Sequence, residues 1–249
     1  MSQPQVILAF TALGVALAGF GLAWWRHRKL SPWQLVLWYF AKFLVRFLWR
    51  AKQPARLPLA PGQGAVIICN HRSSVDPFFI QTLADWPLHF MVAREYCEHW
   101  VLGCLLRSCE VIPTRRSGID TAATRAALRF TADGQVVGML PEGRINTSEE
   151  FMLPVRPGAV MVALKSRVPI LPCYLDGVPY GGTALSPFFK FARVRVVCGE
   201  LIDLSEYYGR EDEEGLQGEL TLKVVSELAR LAGRDDFQPK LAGRKWRPA

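Results

Sequence analysis

Six short apolar runs, separated by stretches of helical periodicity, constrain this chain more than any other feature. Residues 65–69 (AVIIC) read as a buried strand, followed by strands at 89–93, 110–113, 135–140, 169–175 and 194–198. Helical patterns fill the intervals at 77–84, 94–107, 120–132 and 157–167, and a last amphipathic helix is expected at about 213–232. Asp120 is placed to cap the third of these. Strands that alternate with helices imply an α/β fold, a layered domain with a largely parallel central sheet flanked by helices.

The N-terminal segment has a different character. No charged side chain occurs from Met1 to Trp25, and residues 6–25 make a 20-residue apolar run. As a helix at about 1.5 Å per residue it would match the hydrocarbon core of a bilayer. Trp24 and Trp25 then precede Arg26, His27, Arg28 and Lys29, an aromatic pair followed by a basic cluster. A transmembrane anchor with its basic end in the cytoplasm is expected, and a cleaved signal peptide is the rival reading. Residues 33–50 are apolar nearly all round, with Lys42, Arg46 and Arg50 at i, i+4 and i+8. That pattern fits a helix lying in the headgroup layer, or a core helix whose cations snorkel. The expected organisation is therefore a membrane anchor over 1–52, a catalytic domain over 53–235 and a basic tail over 236–249.

Composition narrows the partners. Lys and Arg number 30 against 22 Asp and Glu, a net charge of +8, which suits an anionic partner. No motif supports nucleic-acid binding, and the basic residues beside apolar sequence point to a membrane bilayer. The six cysteines form no CxxC pair or zinc-finger spacing, and are read as reduced, mostly buried thiols. Nothing in the sequence suggests a metal or fixes an oligomeric state.

Residues 68–79 (ICNHRSSVDPFF) carry the most chemistry. His71 sits in the turn after the first strand, where ligands collect in α/β folds. Asp76 follows five residues later and precedes Pro77, so a loop can fold its carboxylate back toward the imidazole. Such a carboxylate would hold Nδ1–H and leave Nε2 as a general base. Spacing alone also permits the plainer alternative, a helix-capping Asp76 and a turn residue His71. No serine or cysteine stands in a nucleophile elbow, so the substrate itself would supply the attacking hydroxyl. Two further turns follow strands. VIPTRRSG places Arg115 and Arg116 before a helix start, and MLPEGRINT places Glu142, Gly143 and Arg144 at a strand end. Each is equally served by a surface turn or a structural ion pair.

Together these stretches resemble the glycerolipid acyltransferase family, the 1-acylglycerol-3-phosphate (lysophosphatidate) acyltransferases and their relatives. Residues 70–76 match the family's N-H-x4-D motif, beginning at Asn70. Ile112-Pro113-Thr114-Arg115-Arg116 resembles its second motif, residues 140–143 (LPEG) its F-P-E-G block, and residues 168–172 (VPILP) its V-P-I-x-P block. The family usually reads P-E-G-T-R or P-E-G-T-S, whereas here Arg144 directly follows Gly143. The resemblance implies His71 and Asp76 as the catalytic pair. Arg116, Glu142, Gly143 and Arg144 would bind the acceptor phosphate, with Asn70 and Arg115 in support. It also implies an acyl thioester donor (acyl-CoA or acyl carrier protein) as co-substrate, a lysophospholipid acceptor and no cofactor or metal. A different acceptor such as glycerol 3-phosphate, a non-catalytic membrane-binding scaffold of the same fold, and a hydrolase using the same pair on water stay open at this stage.

Overall fold

The computed structural model describes residues 3–26, 29–100, 102–115 and 120–243, with the backbone path alone for residues 3, 4, 6, 7, 9, 10 and 26. Among them a six-stranded sheet forms the centre, in the order β3-β2-β4-β1-β5-β6. Its strands are β1 (Ala65–Cys69), β2 (Leu88–Ala93), β3 (Ile112–Thr114), β4 (Val136–Met139), β5 (Ile170–Asp176) and β6 (Arg195–Cys198). The first five run parallel, and β6 closes one edge antiparallel to β5. The six runs expected from the sequence are these six strands, with ends displaced by one or two residues.

A parallel strand buried on both faces needs apolar side chains at every position, and β1 has them. Its alternation divides the core. Ala65, Ile67 and Cys69 pack into one apolar layer with Leu44, Val45, Trp49 and Phe79. Val66 and Ile68 pack into the other with residues of α6 (Thr121–Ala132), α7 (Gly158–Ser166) and α8 (Leu216–Leu231). The molecule is thus a helix–sheet–helix sandwich. Gly138 of β4 leaves room for the Phe90 ring of β2, which a Cβ there would strike.

Several helices depart from the sequence reading. The helix expected at 94–107 is two, α4 (Arg94–Glu98) and α5 (Leu102–Ser108). His99 is extended, and a Cβ on Gly103 would lie 2.2 Å from the Cys97 carbonyl oxygen, so the chain folds tightly back there. Between β1 and β2, α3 (Asp76–Gln81) is a turn and a half, shorter than the expected 77–84. The last helix begins only after Gly215, whose φ is +84°. Within the expected basic tail, residues 240–242 pair with Val155, while 244–249 lie outside the described residues.

The N-terminal elements are also corrected. α1 (Gln3–Arg26) is a helix with exposed Leu13, Leu17 and Trp25, and among the described residues no helix is long and apolar enough to cross a membrane. The spanning helix expected over 6–25 falls partly on residues 6, 7, 9 and 10, whose side chains lie outside the described ones. α2 (Pro32–Phe43) starts at a Ser31–Gln34 capping box and gives way to a π-helical turn, Leu44–Leu48. It does not lie free: Leu35, Trp38 and Ala41 are buried, and the Trp38 Nε1–H donates to Ala84 O at 2.7 Å. The π turn and the positive φ of Arg50 break the expected Lys42–Arg46–Arg50 stripe.

Candidate active site

The carboxyl ends of β1, β4, β2 and β3 lie side by side, and the loops that leave them build the site. After β1, Asn70 faces inward. Its Nδ2–H donates to Leu175 O at 2.9 Å, and its Oδ1 accepts from Leu175 N–H at 2.8 Å. Both amide functions are therefore spent on locking the end of β1 to β5.

The next residue, His71, meets Asp76. The imidazole Nδ1 is 2.8 Å from Asp76 Oδ2, which also accepts from the Arg72 N–H at 2.8 Å and the Ser73 N–H at 2.9 Å. Asp76 is buried and is the first residue of α3, with Val75 in the cap position. The plainer alternative, Asp76 as cap and His71 as an independent turn residue, is thereby replaced. Two backbone N–H donors and the imidazole Nδ1 converge on one carboxylate oxygen, which fixes the ring and turns Nε2 away from Asp76. His71 lines a cavity of about 480 Å³, within the ordinary range for a small-molecule site.

Behind His71 stands Glu142, at the end of β4. Its Oε1 accepts the His71 backbone N–H at 2.7 Å, and its Oε2 accepts the Leu153 N–H at 2.9 Å. Burial raises the carboxyl from its ordinary 4.5 to about 7, against the lowering by these two hydrogen bonds. The sequence reading grouped Glu142 with phosphate-binding residues. Only 1% exposed and occupied at both oxygens, it instead pins the His71 loop from behind. Asn146 completes the clamp, its N–H donating to His71 O at 2.7 Å. Arg72 spends its guanidinium on Asn146 O and Ser148 O, at 3.1 and 2.9 Å.

The cavity lining changes character across the site. Arg115 comes from the end of β3, and Gly143 and Arg144 from the end of β4. Gly143 adopts φ +69°, with no side-chain atom nearer to a Cβ than Arg156 Nε at 3.9 Å, so glycine is required there by backbone conformation and not by space. Arg156 also lines the cavity and was missed in the sequence, where V-R-P-G resembles any helix-start turn. Arg116 lies outside the described residues. The remaining wall is apolar, with Leu37 and Phe40 of α2, Phe90 and Met91 of β2, and Leu102 and Leu105 of α5. One concave surface thus offers a carboxylate-held imidazole, guanidinium groups and a long apolar wall.

All six cysteines are free. Cys69, Cys97 and Cys173 are buried, Cys109 and Cys198 are partly buried, and Cys104 is exposed.

Comparison with known proteins bears on the family and the fold. Residues 50–176 match the family described as Acyltransferase. A 1-acyl-sn-glycerol-3-phosphate acyltransferase of Bacillus subtilis (strain 168) is 25% identical over 159 residues, covering 64% of this chain and 76% of that protein. One from Limnanthes alba is 31% identical over 116 residues, 45% of this chain and 41% of that one. The crystal structure of the 1-acyl-sn-glycerophosphate acyltransferase PlsC of Thermotoga maritima shares the fold. Its TM-score is 0.61 at 19% identity, over 92% of this chain and 96% of that one.

Proposed function

Since the chain belongs to the Acyltransferase family and is an O-acyltransferase, we propose that it moves a fatty acyl group from an acyl thioester to the free hydroxyl of lysophosphatidate, giving phosphatidate for phospholipid synthesis. The observation that carries this reading is the His71–Asp76 pair on a cavity with both guanidinium groups and an apolar wall. The apolar wall suits a fatty chain, and the cations suit a phosphate that marks the acceptor.

In this mechanism Asp76 keeps the His71 proton on Nδ1, so Nε2 accepts the proton of the acceptor hydroxyl as its oxygen attacks the thioester carbonyl. The C–O bond forms, the tetrahedral intermediate collapses, and the C–S bond breaks. The departing thiolate takes the proton from Nε2 and restores the neutral ring. General-base assistance of this kind contributes about 10²–10⁴-fold. Arg115, Arg144 and Arg116 hold the phosphate, and the glycine turn at Gly143 admits it closely. Glu142 supports this arrangement through the His71 main chain. The donor is acyl-CoA or acyl carrier protein. α1 and α2 seat the enzyme on the bilayer, with the basic cluster after Trp25 on the cytoplasmic side.

Purified protein in detergent, offered acyl-CoA or acyl-carrier-protein donors with lysophosphatidate, glycerol 3-phosphate or neutral lysolipids, tests the reading. Phosphatidate as the main product supports it. Transfer to glycerol 3-phosphate or neutral lysolipids alone would replace the acceptor. Free fatty acid without transfer would make the protein a hydrolase, and no turnover by folded protein would make it a scaffold.

A further inference from the structure

The loop between β5 and β6 places apolar side chains in opposite environments. Phe188 is anchored inside, its ring 6.0 Å from Trp49 and 5.8 Å from Phe78, and Pro187 O accepts the Trp49 Nε1–H at 3.2 Å. Ser74 Oγ–H donates to Ala184 O at 2.8 Å, and Gly181 N–H to Ser186 Oγ at 2.8 Å. On this pinned scaffold Phe189 and Phe191 are 84% and 81% exposed. Their exposure is therefore built into a segment that is hydrogen-bonded on both sides.

The loop adjoins the π-helical turn. Ala192 N–H donates to Leu48 O at 3.3 Å and Val194 N–H to Trp49 O at 3.1 Å. An exposed pair stands there, Phe43 at the end of α2 and Phe47 in the turn, with ring centroids 5.1 Å apart. Cations are interleaved with these rings: Arg46 and Arg50 on one segment, Lys190 and Arg193 on the other. Lys190 Nζ–H donates to Tyr180 O at 2.9 Å, and among the described residues none of the four cations forms an ion pair. Arg50, Phe191 and Arg193 border one shallow depression. The same loop lines the cavity beside His71, through Ala184, Leu185 and Phe188, as does Phe40 of α2.

We infer that the 184–193 loop and the π-helical turn form a second bilayer contact, separate from α1, that docks on anionic lipid and holds the cavity mouth at the membrane surface. Phe189, Phe191 and Phe47 enter the acyl boundary, and Lys190, Arg193, Arg50 and Arg46 meet lipid phosphates. Aromatic rings beside unpaired cations are the chemistry of an anionic interface, where each Lys or Arg contributes through the negative surface potential. The inference rests on the reading above that the acceptor is a lipid. It gives that lipid a route from the leaflet to His71 without passage through water.

The test uses the full chain, wild type and the double variants F189S/F191S and K190Q/R193Q. Hydrogen exchange of residues 184–193 is followed with and without phosphatidylcholine vesicles that do or do not contain phosphatidylglycerol. Acyl transfer is measured on the same vesicles and with short-chain donor and lysophosphatidate kept monomeric. Slower exchange of 184–193 on phosphatidylglycerol vesicles is expected. Both variants should lose about tenfold or more of vesicle activity and keep their activity on monomeric substrates. Unchanged exchange on vesicles, or unchanged vesicle activity in both variants, would overturn the inference. So would protection that appears without vesicles and grows with protein concentration, which would assign the surface to a second copy of the chain. If wild type transfers no acyl group even to monomeric lysophosphatidate, the functional reading fails; the exchange result then decides the docking surface by itself.

Discussion

Substituting Glu142 by glutamine tests the clamp behind His71 through a dependence on pH whose sign is fixed. Glu142 is buried, and its carboxyl lies at about 7 in the folded protein, against an ordinary 4.5. Between those values the folded state binds a proton that the unfolded state has released, so stability falls as pH rises through this window. At about 1.4 kcal/mol per pH unit, the ionised carboxylate costs roughly 3 kcal/mol once the pH exceeds about 7, and nothing below about 4.5. Glu142→Gln removes that dependence. It also leaves one of the two backbone donors, His71 N–H or Leu153 N–H, facing an amide NH₂, at a constant cost of about 1–3 kcal/mol. The wild type is therefore expected to exceed the variant most at about pH 5, with the gap shrinking toward about pH 8. For a chain of this length, 3 kcal/mol corresponds to roughly 6–12 °C in Tm. Thermal melts of both proteins in detergent, followed by tryptophan fluorescence across that range, measure the gap directly. Melting curves that shift in parallel with pH would refute the buried, titrating clamp.

Two further substitutions separate chemistry from packing. Asp76→Asn keeps an acceptor for the Arg72 and Ser73 N–H groups but withdraws the charge from His71 Nδ1. It should lower kcat by about 10²–10⁴-fold with little change in the acceptor KM, and a raised KM at normal kcat would contradict the orienting role. Gly138→Ala drives a methyl group into the Phe90 ring and should cost about 1–3 kcal/mol. Adding Phe90→Leu should recover part of that loss in Tm, and no recovery would mean that strain lies elsewhere.

Much of this architecture was legible because strands of a parallel sheet leave apolar runs that nothing interrupts. The run AVIIC is a strand wherever it is buried on both faces, whereas the edge strands β3 and β6 carry exposed residues and are shorter. The His71–Asp76 pair was legible as a motif, although its geometry was not, because the i, i+5 spacing does not say which way a loop turns. What the sequence concealed depends on contacts distant along the chain. Glu142 looks like a ligand residue until Leu153 and the His71 N–H are seen to occupy it. The stretch 94–107 reads as one helix until Gly103 folds against the Cys97 backbone. Residues 33–50 read equally as a headgroup-layer helix or a core helix because the partners of Trp38 and Trp49, Ala84 O and Pro187 O, lie 46 and 138 residues away. Arg156 gave no local signal, since only the folded loop brings it beside Gly143.

The central claim is that Nε2 of His71 takes the acceptor's proton during acyl transfer. The direct measurement compares wild type and His71→Ala in detergent, with matched circular dichroism and melting, recording thiol release and mass-resolved phosphatidate from lysophosphatidate. The account predicts phosphatidate and stoichiometric thiol from wild type, and a loss of about 10²-fold or more in both from the variant at unchanged fold. Phosphatidate formed by His71→Ala at a rate near that of wild type would contradict it.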